Sequence, residues 1–441
     1  MNVKILLKTT VLAAMLVLPS LAQAIPEIQH WVTPNGSRVV FVPEQNLPMI
    51  DIRVVFDAGS ARDAGKSGLA ALTNGMLSEG AAGLSAQQIA EHFESVGAQF
   101  DNDAARDMAY VSVRSLTEKK YLDTAVKTLS SVLTAPDFQA AAFARELAHM
   151  KVAVEARQQS PEAIGEEAFY KAIYGDHPYA SPVAGTMQSL KQLKLDDVRN
   201  FYHQYYVAKN AVIAIVGAVD RVQAEALATQ LTSALPTGDR AAALPPVPEL
   251  TKSQEIRIEY PSRQSHIFVG QPGMKRGDKD YMALYVGNYP FGGSGFASRL
   301  MKAVREKRGL AYSVYSYFSP MHEAGPFLMA LQTRTDKTDE ALGLLRSELA
   351  KYLKEGPSAD EMKASIDNIT GGFPLNLDSN SKMLGYIAMI GFYDLPPDYL
   401  QTFVSRVKAV TADEAHTAMQ QRIHPDHLVT VVVGSSDSKT H

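Results

Sequence analysis

The sequence predicts an α+β fold made of two homologous α+β halves, joined by a linker and closed on each other as a clamshell. Three observations carry this prediction. The chain has 441 residues, 46% hydrophobic and 20% charged, with 29 glycines, 23 prolines and no cysteine. That composition is ordinarily globular, and the length exceeds the ~250–300 residues at which single cores stop growing. The chain also repeats itself: Ala-Val-Ile-Ala-Ile-Val-Gly at 211–217 and Leu-Val-Thr-Val-Val-Val-Gly at 428–434 stand 217 residues apart, from 428 minus 211. Finally, strand-like runs and helical stretches mix without strict strand–helix alternation, which favours helices packed on largely antiparallel sheets.

The first 24 residues stand apart from the fold. Lys4 and Lys8 precede an apolar run from Val11 to Leu18, and Ala22-Gln23-Ala24 supplies a small-x-small cleavage site before Ile25. This pattern reads as a secretory signal peptide and predicts a periplasmic protein. The run is far shorter than the ~20 residues that cross a bilayer, so no membrane insertion is expected. Without cysteine there is neither a lipid attachment point nor a disulfide. The formal charge is -4, from 43 basic and 47 acidic side chains. Losing the two leader lysines leaves 41 against 47, a mildly acidic chain with no basic block, which excludes a nucleic-acid partner.

The first half is expected to span 26–235. Strands are predicted at Ser37–Val42 and Ile50–Phe56, and helices at Ala86–Ser95, capped by Ser85, and Leu122–Leu133. The repeat extends upstream of the closing strand, since residues 190–217 align with 407–434 without a gap. Asp196-Asp197 and Asp413-Glu414 then fall in the same register, each at the acidic start of a helix. Pro236-Thr237-Gly238 and Pro245-Pro246-Val247-Pro248 withhold amide donors and mark a linker at 236–253. The second half, 254–436, opens with a strand at Glu255–Tyr260 and includes a helix at Thr338–Leu353. A helix break is expected at Phe373-Pro374, and a short tail, 437–441, follows the last strand.

Ala58-Gly59-Ser60-Ala61-Arg62-Asp63, followed by Gly68-Leu69-Ala70-Ala71-Leu72-Thr73-Asn74-Gly75-Met76-Leu77-Ser78-Glu79-Gly80, resembles the first half of M16 (pitrilysin- or insulinase-like) metallopeptidases. That family is likewise built of duplicated α+β halves, and its active members carry His-x-x-Glu-His on the corresponding helix. Two imidazoles four residues apart hold zinc, and the carboxylate between them takes a proton from the bound water. The resemblance puts those three positions at Ala71, Asn74 and Gly75, and the third ligand, a glutamate, at Ala153. A methyl, an amide and a hydrogen cannot do this work, so no metal is expected in this chain. Two near misses read as coincidences: Gln88-Ile89-Ala90-Glu91-His92 lies on a later helix, and His424-Pro425-Asp426-His427 lies in a loop.

The second half contains Phe291-Gly292-Gly293-Ser294-Gly295-Phe296-Ala297-Ser298-Arg299-Leu300. It continues Met301-Lys302-Ala303-Val304-Arg305-Glu306-Lys307-Arg308-Gly309-Leu310-Ala311-Tyr312. On residues alone this is a glycine turn, a helix from Ser298 to Arg308, a C-terminal cap at Gly309 and a strand. It is similar to the second-half signature of the same family, in which an arginine and a tyrosine seven residues apart reach toward a zinc site in the opposite half. Arg305 and Tyr312 stand at that spacing. A neutral phenol can donate to a forming oxyanion, and a guanidinium can hold substrate oxygens with a fixed fork of donors. Gly292, Gly293 and Ser294 are the expected substrate-binding turn.

The resemblance therefore implies a metal-free subunit of a heterodimeric periplasmic zinc peptidase. Its partner would be a homologous chain with an intact His-x-x-Glu-His motif and the zinc, and its substrate an unfolded peptide. A non-enzymatic peptide-binding homologue and a purely structural one are the alternatives.

Overall fold

The computed structural model describes residues 27–434; the predicted leader and the 437–441 tail lie outside the described residues. Seven strands of the first half are β1 (Gln29–Val32), β2 (Arg38–Pro43), β3 (Met49–Phe56), a small hairpin β4 (Gly80–Ala81) and β5 (Leu84–Ser85), β6 (Gln99–Ala104) and β7 (Ala109–Leu116). β8 (Ala211–Gly217) closes the half, giving a sheet of order β1-β2-β8-β3-β7-β6. The second half supplies β9 (Gln254–Glu259), β10 (Gln264–Met274), β11 (Ala311–Phe318), β12 (Gly325–Arg334) and β13 (Val429–Gly434), in the order β11-β12-β10-β13-β9.

In each sheet one pair is parallel, β2 with β8 and β9 with β13, and the remaining pairs are antiparallel. From the parallel pair outward, β2-β8-β3-β7-β6 and β9-β13-β10-β12-β11 trace the same path, and β1 is the one addition. The internal repeat seen in the closing strands thus extends to whole sheets.

The closing strands are near-continuous apolar runs, with Thr430 the one polar residue, because both of their faces are covered. Every residue of β8 is buried. Ile213 and Ile215 face a core with Leu129 and Val132 of the helix Lys119–Thr134. Val212, Ala214 and Val216 instead meet Leu384, Ile387 and Ile390 of Asn380–Phe392, a helix of the second half. The exchange is mutual: Val429, Val431 and Val433 of β13 pack on Phe169, Ile173 and Tyr174 of Pro161–Tyr174, a helix of the first half. Each visiting helix crosses its sheet at a glycine, where a Cβ on Gly165 would lie 2.3 Å from Phe268 and one on Gly391 would lie 2.6 Å from Val212. Burying such branched side chains contributes about 1.5–3 kcal/mol each, so the halves share their cores as well as their linker.

Polar contacts fix the same arrangement. Asp107, only 3% exposed, accepts hydrogen bonds from the Tyr179 hydroxyl at 2.6 Å, the Tyr393 hydroxyl at 2.9 Å and the His322 amide at 2.7 Å. Two of those donors belong to the second half. The linker is tied to the first half, where the Ala242 carbonyl accepts from Arg62 and the Pro245 carbonyl accepts from His177 Nε2. Because His177 Nδ1 accepts from the Tyr179 amide, the imidazole is neutral with its proton on Nε2.

The helices expected from the sequence occur as Ala86–Glu94, Lys119–Thr134 and Thr338–Glu355, and Ser85 forms a capping box with Gln88. The Ala359–Gly372 helix ends where Phe373-Pro374 begin a short 3₁₀ turn. One helix differs from expectation: the stretch after Ser298 starts as α at Arg299 and widens to a π-helix over Met301–Glu306, closed by Lys307 N–H to Lys302 C=O at 3.1 Å.

Candidate functional site

Two regions hold the positions singled out by sequence, and they are built differently. The first is the helix Leu69–Met76, packed on Ala140–Arg157, Leu195–Tyr205 and β6. Asp63 organises its start, since the carboxylate accepts from the amides of Gly68 at 2.9 Å and Ala70 at 2.8 Å. Burial pushes the Asp63 carboxyl from the usual 3.8 up to about 8, with those two amides pulling the other way.

Asn74 is 2% exposed and fully engaged. Its amide nitrogen donates to the Tyr110 carbonyl at 3.1 Å and the Tyr206 hydroxyl at 3.2 Å, and its side-chain oxygen accepts from Asn102 at 2.9 Å. The Asn102 amide also reaches the Asn74 backbone carbonyl. Ala71 is half-buried against the core, Ala153 is exposed, and a Cβ on Gly75 would meet nothing within 4 Å. Val154, between Ala153 and Glu155, is turned into the core instead. These residues do not fit the zinc that the helix holds in active relatives. Three of them have no donor atom on the side chain, and the fourth has its amide locked into a buried network. Among the described residues no cluster of three His, Cys, Asp or Glu could hold a metal ion.

The second region is the glycine run, the widened helix and β11; in place of the expected turn, Gly292 and Gly293 end a π-helix over Tyr289–Gly293, and a 3₁₀ turn over Gly295–Ala297 follows. Gly292 is buried, and a Cβ there would sit 2.3 Å from Ser316 Oγ on β11, so its task is close packing. Gly293 is exposed and Ser294 half-buried, which leaves those two able to touch a ligand. Ser298 Oγ caps the helix by accepting from the Met301 amide, and Gly309, at φ 62°, ends it as expected, donating to the Arg305 carbonyl. Arg299 forms a bidentate pair with Glu361, donates to the Gly356 carbonyl and lies over Tyr352. Arg308 lies 3.7 Å from Glu340 on the exposed surface.

Arg305 behaves otherwise. Its guanidinium carbon stands 4.7 Å from the Tyr312 ring centre and 4.8 Å from that of Phe296, and it has no hydrogen bond or ion pair among the described residues. Tyr312 is 82% exposed and Phe296 67%. Tyr312 lies on β11, the edge of its sheet, at a register shift between Ala311 and Val314, so the bulge turns its phenol outward. Tyr315 and Tyr317 follow along the strand with stacked rings 5.9 Å apart.

Tyr312 also lines a cleft of about 420 Å³ with Tyr315, His266, Gln332 and Glu162, the last from the visiting first-half helix. Burial holds the His266 imidazole below its usual value, with Glu162 opposing. No residue of Leu69–Met76 lines this cleft. Sequence reasoning did not single out Phe296, the Asn102–Tyr206 network or Glu162. An aromatic in the middle of a glycine run was the available signal for the first; the others become neighbours only in three dimensions.

Comparison with known proteins matches these regions to one family. The model described as "Insulinase (Peptidase family M16)" matches residues 38–187, and "Peptidase M16 inactive domain" matches 192–369. A solved "peptidase M16 inactive domain" from Pseudomonas fluorescens is 38% identical, with a TM-score of 0.90 over 94% of this chain and 99% of that one. A Helicobacter pylori structure described as a protease, 20% identical, shares the fold with a TM-score of 0.85 over 93% of this chain and 100% of that one. An "uncharacterized zinc protease YmxG" from Bacillus subtilis is 26% identical over 81% of this chain and 86% of its own length. A "non-peptidase homolog YmxG" from H. pylori is 24% identical over 91% and 93%. The chain belongs to the M16 peptidase family and is of its inactive type.

Proposed function

We propose that this chain is the metal-free subunit of a two-chain periplasmic zinc peptidase. Its partner is a homologous M16 chain with an intact His-x-x-Glu-His helix, which supplies the metal and its water. Arg305 and Tyr312 supply donors to the substrate: the guanidinium holds peptide carbonyl oxygens, and the phenol donates to the oxygen that gains charge as the carbonyl is attacked. The substrate is an unfolded peptide, which can lie in extended form along the open edge of β11, with Gly293 and Ser294 beside its path. One observation carries this reading: Arg305 is unpaired and Tyr312 exposed at a sheet edge, whereas the polar group on the degenerate zinc helix is saturated.

The test is reconstitution. Alone, the purified chain should bind no zinc at stoichiometric level and cut no unfolded fluorogenic peptide; mixed with a secreted M16 homologue bearing the motif, it should raise turnover well above that of either chain. Cleavage by the lone, metal-stripped chain would sink the proposal. The row of exposed tyrosines on β11 supports a second reading, a peptide-binding protein that cuts nothing. Under it, Tyr312→Phe barely changes peptide affinity and no partner confers turnover.

A further inference from the structure

We infer that Phe296 is a positioning residue, the clamp that holds the Arg305 guanidinium in the orientation in which it meets an oxygen ligand. The inference rests on the proposed role of Arg305 and concerns how that role is achieved.

An arginine with no ion pair and no hydrogen bond ordinarily samples many rotamers, and ordering it on binding opposes association. Here the guanidinium lies within 5 Å of two aromatic rings, Phe296 at 4.8 Å and Tyr312 at 4.7 Å. Rings attract the flat faces of a guanidinium and leave its N–H edge outward, the edge that forms paired bonds to a carbonyl or carboxylate. The sequence supplies this second ring at a place where packing does not require one. Phe296 is 67% exposed, and a core aromatic would not be.

The turn that presents Phe296 is fixed by other groups. Ser294 donates its amide to the Tyr289 carbonyl at 2.9 Å, Gly295 adopts φ 59°, and Ser298 bonds back to the Gly295 carbonyl through its amide at 3.1 Å and its hydroxyl at 2.8 Å. Phe296 therefore stands on a turn that does not depend on it. Arg299 makes the contrast within the same segment, since its orientation comes from Glu361 and the Gly356 carbonyl. Arg305 has rings where Arg299 has oxygens, and its donors stay free for a ligand.

The first arm of the test uses the chain alone: the rate at which phenylglyoxal modifies Arg305, followed by mass spectrometry of the peptide that contains it. Phe296→Ala should speed this modification several-fold while leaving that of Arg299 and the unfolding midpoint unchanged. Phe296→Trp should restore the wild-type rate, and Phe296→Leu, which is apolar but lacks a ring, should not. In the reconstituted pair, Phe296→Ala should lower kcat/KM roughly fivefold to tenfold, the size expected of one cation–π contact, with Trp rescuing and Leu failing. An unchanged Arg305 rate in Phe296→Ala, or full rescue by Leu in either arm, overturns the inference. Faster modification in Phe296→Ala with no turnover from any partner supports the clamp and instead removes the peptidase reading.

Discussion

The helix Leu69–Met76 and the segment from Gly292 to Tyr312 hold the two groups of positions that the family resemblance singles out, and they are built in opposite ways. On the helix, buried Asn74 has its nitrogen on Tyr110 and Tyr206 and its oxygen on Asn102. In the second segment, Arg305 has aromatic faces beside it and no oxygen partner among the described residues, while Tyr312 projects from a bulged edge. A buried polar side chain must find partners inside the fold, because leaving it unpaired costs about 1–3 kcal/mol. With no zinc-ligating side chain on it, the helix is ordinary interior structure. A side chain with its donors free at the surface is under no such demand, and under the proposed function those donors are kept for the substrate.

The largest expected effect tests the second region. In the reconstituted pair, Tyr312→Phe and Arg305→Ala should each reduce turnover by about 10²–10³-fold, the range for removing one donor to a developing oxyanion. Unfolding in denaturant should show the chain itself unchanged to within about 0.5 kcal/mol, as for exposed substitutions generally. Full activity in either variant would erase the distinction between the two regions.

A pair of glycines sharpens the comparison through stability. Gly292→Ala should cost about 1–3 kcal/mol, because its Cβ would fall 2.3 Å from Ser316 Oγ in a packed contact. Gly75→Ala should gain up to about 1 kcal/mol, since the position is helical and its Cβ meets nothing within 4 Å. Asn74→Ala should cost a similar 1–3 kcal/mol, roughly, because the Tyr206 hydroxyl, the Tyr110 carbonyl and one of the two Asn102 N–H groups lose their side-chain partner, and it should leave peptide affinity alone. Urea unfolding of the three variants reads all of these; a stabilising Asn74→Ala would mean that the buried network is not what replaced the zinc site.

How much of this was legible in the sequence depends on the range of the interaction. The closing strand of each sheet was legible, because two-sided burial writes an apolar run at 211–217 and again at 428–434, where Thr430 is the one polar residue. Caps at Ser85 and Gly309 were legible because a helix end is decided by residues within one turn of it. The unfitness of Ala71, Gly75 and Ala153 as zinc ligands was legible because methyl and hydrogen are not ligands in any surroundings. The helix exchange was not, since periodicity says that Asn380–Phe392 has an apolar face but not which sheet it covers. Nor was the π widening at Met301–Glu306, where the apolar spacing suits either hydrogen-bond register. Asn74 finds partners 28, 36 and 132 residues away, a distance over which one sequence holds no pairing signal.

The smallest expected effect separates the two arginines of the second segment, Arg299 and Arg305, by pH. Partial burial acts against ionisation of Glu361, but the bidentate Arg299 and the Ser358 amide outweigh it and bring the carboxyl down to about 2 from 4.5. A carboxylate with a depressed native pKa contributes stability that is complete above 4.5 and is lost as pH falls toward about 2, because the unfolded chain takes up the proton first. Arg299→Ala should therefore be modestly less stable than the parent at neutral pH, and the two stability curves should converge between about 4.5 and 2. Asp63, raised to about 8, acts in another window and with the opposite sign, favouring the fold less as pH rises from 3.8. That slope is common to both proteins and cancels in their difference. Arg305→Ala has no carboxylate to release, so its curve should run parallel to the parent's across the acid limb. Denaturant midpoints measured at half-unit steps from pH 2 to 7 would show it, and convergence in Arg305→Ala would mean that this guanidinium has an acidic partner after all.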